Sequence, residues 1–261
     1  MRALVTVALL ATGCRGILGI QSATVAGDGG DDTVDGTSPI DGSQLHPDGG
    51  GPLVDASLGN IIPVQQAFGD PMSAITVTVE LPDVETIGNL VVVAIGWVGA
   101  NVNLESVADN LGKPYTLANT LDSNGTVKLV MFFAPVQNPG VDQVVVTFDH
   151  SATTPDVRVA EYANAVASVD GTTSGVGTSA LCSTPPVIAK PGDLLVAANM
   201  STIARVTGVG NSYIERVVSF PDADILADRE ATQQTGSNDA SATMDRPDTW
   251  IMQLVSFGKP N

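Results

Sequence analysis

Short runs of β-branched and other apolar residues, separated by Gly, Pro, Asn and Asp, recur along most of the chain. Some runs alternate polar and apolar side chains with a period of two, as at 143–148, where Val144, Val146 and Phe148 share one face. Others, such as 90–95, are apolar on both faces, which is typical of strands inside a sheet. Turn residues at this spacing predict antiparallel strands and leave little room for long helices.

The second half of this region echoes the first, which indicates a possible internal two-fold repeat. The candidate strands of the first half lie at 75–80, 90–97, 114–118, 127–134, 143–148 and 157–162. The matched segments are 88–92 with 192–196, 112–115 with 210–213, and 156–162 with 248–254. We therefore expect an all-β fold, an antiparallel β-sandwich of about twelve strands with jelly-roll-like topology.

Residues 61–261 are expected to form this sandwich as one domain. The alternative is two immunoglobulin-sized domains that divide within 169–183. Glycine, serine and threonine are abundant at 170–179, so this segment is predicted to be a flexible linker or a crossover between sheets.

The N-terminus has the features of an export signal. Residues 1–13 carry one positive charge and an apolar stretch too short to span a bilayer. The small residues at 11–13 followed by Cys14 resemble the lipobox of bacterial lipoproteins, although Ala11 stands where that motif usually has leucine. The resemblance implies a lipid anchor on Cys14 and, with Arg15 next, a place at the outer membrane or cell surface. An apolar first strand with an incidental cysteine is the alternative.

Residues 14–60 are predicted to be a disordered acidic tether between the anchor and the sandwich. From residue 21 to residue 60 the chain contains seven aspartates and no Lys, Arg or Glu. Such a segment has too little apolar surface to offset the entropy lost on ordering.

The charge of the chain limits its partners. Lys and Arg total 11 against 28 Asp and Glu, a net charge of −17, which repels phosphate backbones and makes nucleic acid an unsuitable partner. The membrane is expected to be contacted through the lipid anchor, and a glycan or another envelope protein is a possible partner. Lipidation of Cys14 would leave Cys182 as a lone thiol, interpreted as a small buried apolar residue.

The folded region contains five motifs, at 88–92, 107–115, 155–162, 220–228 and 250–253. In their order, they resemble a widespread, poorly characterised β-sandwich module of bacterial extracellular proteins. The resemblance implies a location outside the cell and an adhesive or glycan-related role. It transfers no catalytic residues.

Candidate catalytic groups are sparse. The contiguous Asp-His-Ser at 149–151 contains the residue types of a hydrolytic triad, but neighbours at a strand end point in different directions. Glu161 with Asp156 or Glu215 could formally supply the two carboxylates of a glycosidase. A hydrogen bond within the sheet is the competing explanation for Glu161.

An oxygen-only cation site is the metal site that the sequence leaves open. Asp222, Asp224 and Asp228 lie within seven residues, and alternate positions of an extended segment place Asp222 and Asp224 on one side. Calcium is therefore a possible cofactor, with a solvated acidic loop as the alternative.

Aromatic side chains could form a platform for sugar rings, and the candidate ligand-binding residues are Trp97, Tyr115 and Trp250. Their apolar surroundings equally predict core packing. The sequence as a whole predicts a cell-envelope lipoprotein that presents a non-catalytic β-sandwich as a structural or ligand- or glycan-binding module. A secreted carbohydrate-active enzyme, or its accessory domain, is the alternative.

Overall fold

The computed structural model describes residues 60–210, 212–231 and 234–260. The predicted signal peptide, the lipidation site Cys14 and the predicted tether up to residue 59 lie outside this range. The regular structure of the described residues consists of antiparallel β-strands in packed sheets, which confirms the predicted all-β sandwich. A helix able to cross a membrane is not found in this part of the chain.

The described residues form fifteen strands, compared with the predicted number of about twelve. The strands of the first half are β1 (Ile62–Gly69), β2 (Ser73–Val84), β3 (Leu90–Val98), β4 (Leu104–Asp109), β5 (Thr116–Ser123), β6 (Val127–Pro135) and β7 (Val141–Ala163). Those of the second half are β8 (Val169–Ser183), β9 (Val187–Ala189), β10 (Leu194–Ser201), β11 (Val206–Val209), β12 (Ile214–Val218), β13 (Ile225–Glu230), β14 (Gly236–Asn238) and β15 (Ser241–Phe257).

The two halves share one strand order, so the internal repeat is present in the connectivity. The first sheet runs β1-β7-β3-β6-β5, and β2 and β4 also pair along β7. In the second sheet, β8, β11 and β10 pair with β15, and β10 continues to β13 and β12. Strands β9 and β14 form a separate pair. Each half therefore places a glycine turn before its central strand, with Gly88 and Gly192 in the left-handed region (φ 92° and 80°).

The pairing register corrects one of the matched segments. Leu90 of β3 pairs with Tyr162, and Leu194 of β10 pairs with Phe257. The structural counterpart of Tyr162 is thus Phe257 and not Leu254. The pairing of residues across neighbouring strands, and not the similarity of short segments of sequence, shows which positions of the two halves are equivalent.

Strand β7 merges two predicted strands into one of 23 residues. Its first part pairs with β2 and β4, and its last part pairs with β1 and β3. Thr154, in the left-handed region (φ 40°), lies between the two parts. As a result the sheet folds over itself, and Val144 and Phe148 pack in the same cluster as Val91 and Val93 of β3.

The described residues contain three large apolar clusters and a fourth of four buried residues. One large cluster belongs to the first half and one to the second, and a central core between them combines side chains of both sheets, among them Leu90, Val92, Leu194 and Val196. The described residues accordingly group as one compact unit.

Two seams, one on each side of the central core, join the halves through equivalent polar residues. At the first seam, Arg158 of β7 lies opposite Ala94 and donates a hydrogen bond to the carbonyl of Ile225 in β13. At the second seam, Gln253 of β15 lies opposite Ala198 and donates to the carbonyl of Leu129 in β6 over 3.2 Å.

The segment at 170–179, predicted to be flexible, is part of strand β8 and pairs along β15. Its glycines are required by close packing. A Cβ on Gly177 would lie 2.5 Å from Cζ2 of Trp250, and one on Gly175 would lie 2.0 Å from the carbonyl oxygen of Ser183. The prediction of a linker or crossover was wrong because glycine here makes room for neighbouring atoms.

The replacement Gly177→Ala is expected to destabilise the fold by about 1–3 kcal/mol, since the rigid Trp250 ring cannot yield to the added methyl group. Gly208→Ala, in β11 of the same sheet, is the matched control because a Cβ there meets open space. The control should be neutral or slightly stabilising. Urea unfolding of both variants measures the difference, and equal stabilities would contradict the packing argument.

Candidate functional site

Four carboxylates meet at the first seam and are called here the acidic cluster. Asp70 lies in the turn between β1 and β2, Asp156 lies in β7, and Asp222 and Asp224 lie in the turn between β12 and β13. Carboxylate oxygens of Asp156, Asp222 and Asp224 lie within 4.8 Å of one another. The cluster therefore takes two members from each half of the chain.

Asp224 is held rigidly at the base of the cluster. Its Oδ1 accepts hydrogen bonds from Nδ2 of Asn199 (2.7 Å) and from the backbone N–H of Ser201 (3.1 Å). Oδ1 of Asn199 in turn accepts the backbone N–H of Ile225 (2.7 Å). These contacts fix the turn that carries Asp222 onto the end of β10.

Asp156 is fully buried, and its two oxygens differ. Oδ2 accepts a hydrogen bond from Oγ of Ser219 (2.8 Å) and lies 3.3 Å from Nε of Arg158. Oδ1 has no hydrogen-bond partner among the described residues. An unpaired buried carboxylate oxygen is costly, so this atom marks a place where a ligand or proton is needed.

Burial and mutual repulsion perturb the cluster. Burial, together with the hydrogen bond and negative charge of Asp222, raises the pKa of Asp70 to about 8. Burial raises the pKa of Asp156 to about 6, although Arg158 and Ser219 oppose the rise. Burial likewise raises the pKa of Asp224 well above its ordinary value. Burial is the largest cause of all three shifts; negative charges of neighbouring carboxylates add to it, and the positive charge of Arg158 opposes it.

The structure corrects the predicted cation set. Asp222 and Asp224 do come together, but their partners are Asp156 and Asp70, and Asp228 is absent from the group. Asp228 is four residues from Asp224 along an extended strand, a separation of about 13 Å. It accepts a two-point contact from the Arg216 guanidinium, with both N···O distances below 3.0 Å.

The equivalent position at the second seam is apolar. Asp156 pairs with Gly96, and its counterpart Ile251 pairs with Met200, the counterpart of Gly96. Val127, Leu129, Met200 and Ile251 form one buried cluster. At this position the repeat therefore has hydrocarbon at the second seam and carboxylates at the first, while Gln253 keeps its polar contacts with Leu129 and Asp122.

A second ionic group, the Lys113 cluster, lies within the first half. Nζ of Lys113 is 2.8 Å from Oε2 of Glu85, 2.9 Å from Oδ2 of Asp109 and 2.8 Å from Oδ2 of Asp142. All four side chains are buried almost completely. Burial, with the charges of Asp142 and Glu161, raises the pKa of Glu85 to about 7 against the opposing effect of Lys113. Sequence reasoning missed this cluster because Glu85 and Asp142 are distant along the chain from Asp109 and Lys113.

Glu161, considered as a glycosidase carboxylate, is committed to the fold. It accepts hydrogen bonds from Nε2 of Gln65 (2.6 Å), Nδ2 of Asn89 (2.6 Å) and the backbone N–H of Thr86 (3.0 Å). The side chain is fully buried. The hydrogen-bonding explanation for this residue therefore fits, whereas Glu215 is exposed on β12.

The Asp-His-Ser sequence at 149–151 does not assemble as a triad. The His150 side chain is 77% exposed, with Nδ1 3.1 Å from Oδ1 of Asp149. Oγ of Ser151 is 2.7 Å from Oγ of Ser73 instead. The three side chains thus lack the serine–histidine contact that nucleophilic catalysis requires.

The predicted aromatic platform is not assembled at the surface. Trp97 is fully buried, donates from Nε1 to the carbonyl of Val102 (3.0 Å) and contacts Phe148 edge to face. Trp250 is 6% exposed. Tyr115 is half-buried against the first-half cluster. The core explanation therefore describes both tryptophans.

Cys182 is buried, and burial raises its pKa to about 12. Its thiol donates a hydrogen bond to the carbonyl of Ala242 over 3.3 Å. A buried thiol with a raised pKa is inert, as expected for a small core residue.

A comparison of the chain with protein-family models, curated proteins and solved structures found no match. No relative therefore indicates a ligand or a reaction, and the described side chains are the guide to what the chain could bind. The acidic cluster offers oxygen ligands for a hard cation, and the Lys113 cluster is neutralised internally to a greater extent. The groups with catalytic residue types are buried in hydrogen bonds or held apart.

The Lys113 cluster predicts a pH dependence of stability. Between the ordinary pKa of 4.5 and about 7, the folded protein keeps a proton on Glu85 that the unfolded chain releases. The free energy of unfolding should therefore fall as the pH rises through this window. Glu85→Gln removes that contribution, so its urea midpoint should vary less between pH 5 and pH 7.5. Glu105→Gln, at an exposed position in β4, is the control and should keep the slope of the parent protein.

Proposed function

We propose that this chain is a cell-envelope lipoprotein, anchored by a lipid on Cys14, that presents a non-catalytic β-sandwich as a structural or ligand-binding module. The observation that supports this proposal is that the candidate reactive groups are buried and make their contacts within the fold. Glu161 is saturated by three hydrogen bonds, and both tryptophans fill the core. The exposed side chains can therefore support binding through surface shape, charge and apolar contacts.

The runner-up, a carbohydrate-active enzyme, is less well supported. Glycoside hydrolysis requires two carboxylates on opposite sides of an accessible bond, about 5 to 9.5 Å apart. Glu161 is buried within the first half, and Asp156 is buried at the first seam. Neither offers an oxygen to a polysaccharide without local opening of the fold.

A groove between β1 and β12 is the best candidate for ligand contact. Exposed apolar side chains line it, with Phe68 43%, Val218 44% and Ile214 53% exposed. Two cavities of about 400 Å³ each lie along it, and Arg216 lines both. This volume falls in the range of small-ligand sites, about 300–1,000 Å³. A groove with apolar rims and a guanidinium suits a glycan carrying an acidic group or an extended segment of an envelope protein.

The lipid anchor is tested by fractionation of cells that express the full chain. The parent protein should be found in the membrane fraction and be released by detergent, and Cys14→Ser should move it to the soluble fraction. Cys182→Ala is the control, because this buried thiol lies in the sandwich, and it should remain with the membrane. Retention of the Cys14→Ser protein in the membrane fraction would contradict the anchor.

The non-catalytic role is tested by incubation with a panel of polysaccharides. No sugar should be released, and any retained glycan should bind less tightly to Arg216→Gln or Phe68→Ser. Loss of about 1–3 kcal/mol of binding free energy is expected for such a contact. Sugar release that disappears in Glu161→Gln would instead establish the enzyme.

A further inference from the structure

We propose that the acidic cluster is a binding site for a hard divalent cation, best matched by Ca²⁺, which links the two halves of the chain at the first seam. The ligands would be carboxylate oxygens of Asp70, Asp156, Asp222 and Asp224. This site is independent of the lipid anchor and of any ligand in the β1–β12 groove.

The charge balance of the first seam calls for a cation. Four carboxylates share the site, and the described cation in contact with them is Arg158. The Arg158 guanidinium donates to the carbonyl of Ile225 through Nη1, and its Nε and Nη2 have no hydrogen-bond partner among the described residues. Buried carboxylates in excess of their counter-charge are unfavourable, so they take up either protons or a cation. A divalent cation would balance the excess.

Unpaired oxygens supply the direct evidence for a missing partner. Asp156 is 0% exposed, its Oδ2 is occupied by Ser219 and Arg158, and its Oδ1 is unpartnered within the described part of the chain. Oδ2 of Asp70 is also buried and accepts no hydrogen bond from an N–H or hydroxyl group of the described residues, and the carboxyl group of Asp222 is its neighbour. Both side chains belong to the group that faces Asp222.

The spacing of the carboxylates fits one calcium ion. Ca²⁺ takes 6–8 oxygen ligands at 2.3–2.6 Å, so two oxygens on opposite sides of it lie about 5 Å apart. Oxygens of Asp156, Asp222 and Asp224 all lie within 4.8 Å of one another. An all-carboxylate set excludes metals that prefer sulfur or imidazole. Mg²⁺ usually retains several of its waters, which suits a buried group of four carboxylates less well.

The repeat itself supports a special role for the acidic cluster. Ile251, the counterpart of Asp156, packs with Leu129 in a buried apolar cluster at the second seam. Because hydrocarbon fills the position equivalent to Asp156, carboxylates are not needed there for the two halves to pack. Their presence at the first seam is explained by a ligand that binds between the halves.

The full chain should bind Ca²⁺ at this site in isothermal titration calorimetry, and its melting temperature should be higher in Ca²⁺ than in EDTA. Asp222 is half-buried in a turn, so Asp222→Asn should fold while losing a ligand charge. We expect it to weaken calcium binding about tenfold or more and to abolish the calcium-dependent rise in melting temperature. Asp70→Asn provides a second variant with the same expected loss.

Two control variants separate this site from other acidic groups. Asp228→Asn and the exposed Asp245→Asn should keep the calcium response, because Asp228 pairs with Arg216 and Asp245 pairs with Arg246. A response that survives both Asp222→Asn and Asp70→Asn would assign the binding to other carboxylates, such as those of residues 21–60, and would overturn the proposal. Identical melting in Ca²⁺, Mg²⁺ and EDTA, with no heat of binding, would also overturn it.

Crystals grown with Mn²⁺ give a test that needs no variant. An anomalous peak between Asp156 and Asp222 is expected, since Mn²⁺ accepts the same oxygen ligands. A peak elsewhere with none in the acidic cluster would contradict the assignment.

Discussion

The contact between β3 and β10 is the constraint on which the rest of the structure depends. Both strands are buried on both faces, and their inward side chains form the central core. Gly96 faces Met200 so closely that a Cβ on the glycine would lie 2.6 Å from the sulfur. Since each strand also supports the outer cluster of its own half, the three large apolar clusters meet on these two strands.

Local pattern was sufficient to predict the sandwich, because period-two alternation and turn residues are properties of neighbouring residues. It was insufficient where a strand continues through a break in the pattern. The residues around Thr154 look like a turn, yet β7 passes through them and changes partners. The glycine-rich segment in β8 looks flexible, yet Gly177 is there to admit the Trp250 ring. Both features depend on atoms that are distant in the sequence.

The candidate site shows the same division. The pair Asp222 and Asp224 was recognisable from its spacing, whereas Asp70 and Asp156 reach the cluster only through sheet packing. Asp228 has the right spacing for a local motif, but the extended backbone carries it to Arg216 instead. A single sequence contains little information about such contacts, because β topology joins residues that lie far apart in the chain.

The difference between the two seams affects which halves can pack against each other. If two copies of the first half met in the same arrangement, Asp156 of one would be sealed against Leu129 of the other. Two copies of the second half would bring Ile251 against Asp224 in the same way. A carboxylate enclosed by hydrocarbon is strongly unfavourable. Each half therefore packs favourably against the other half and unfavourably against a second copy of itself. Divergence within the repeat thus disfavours the pairing of either half with a copy of itself.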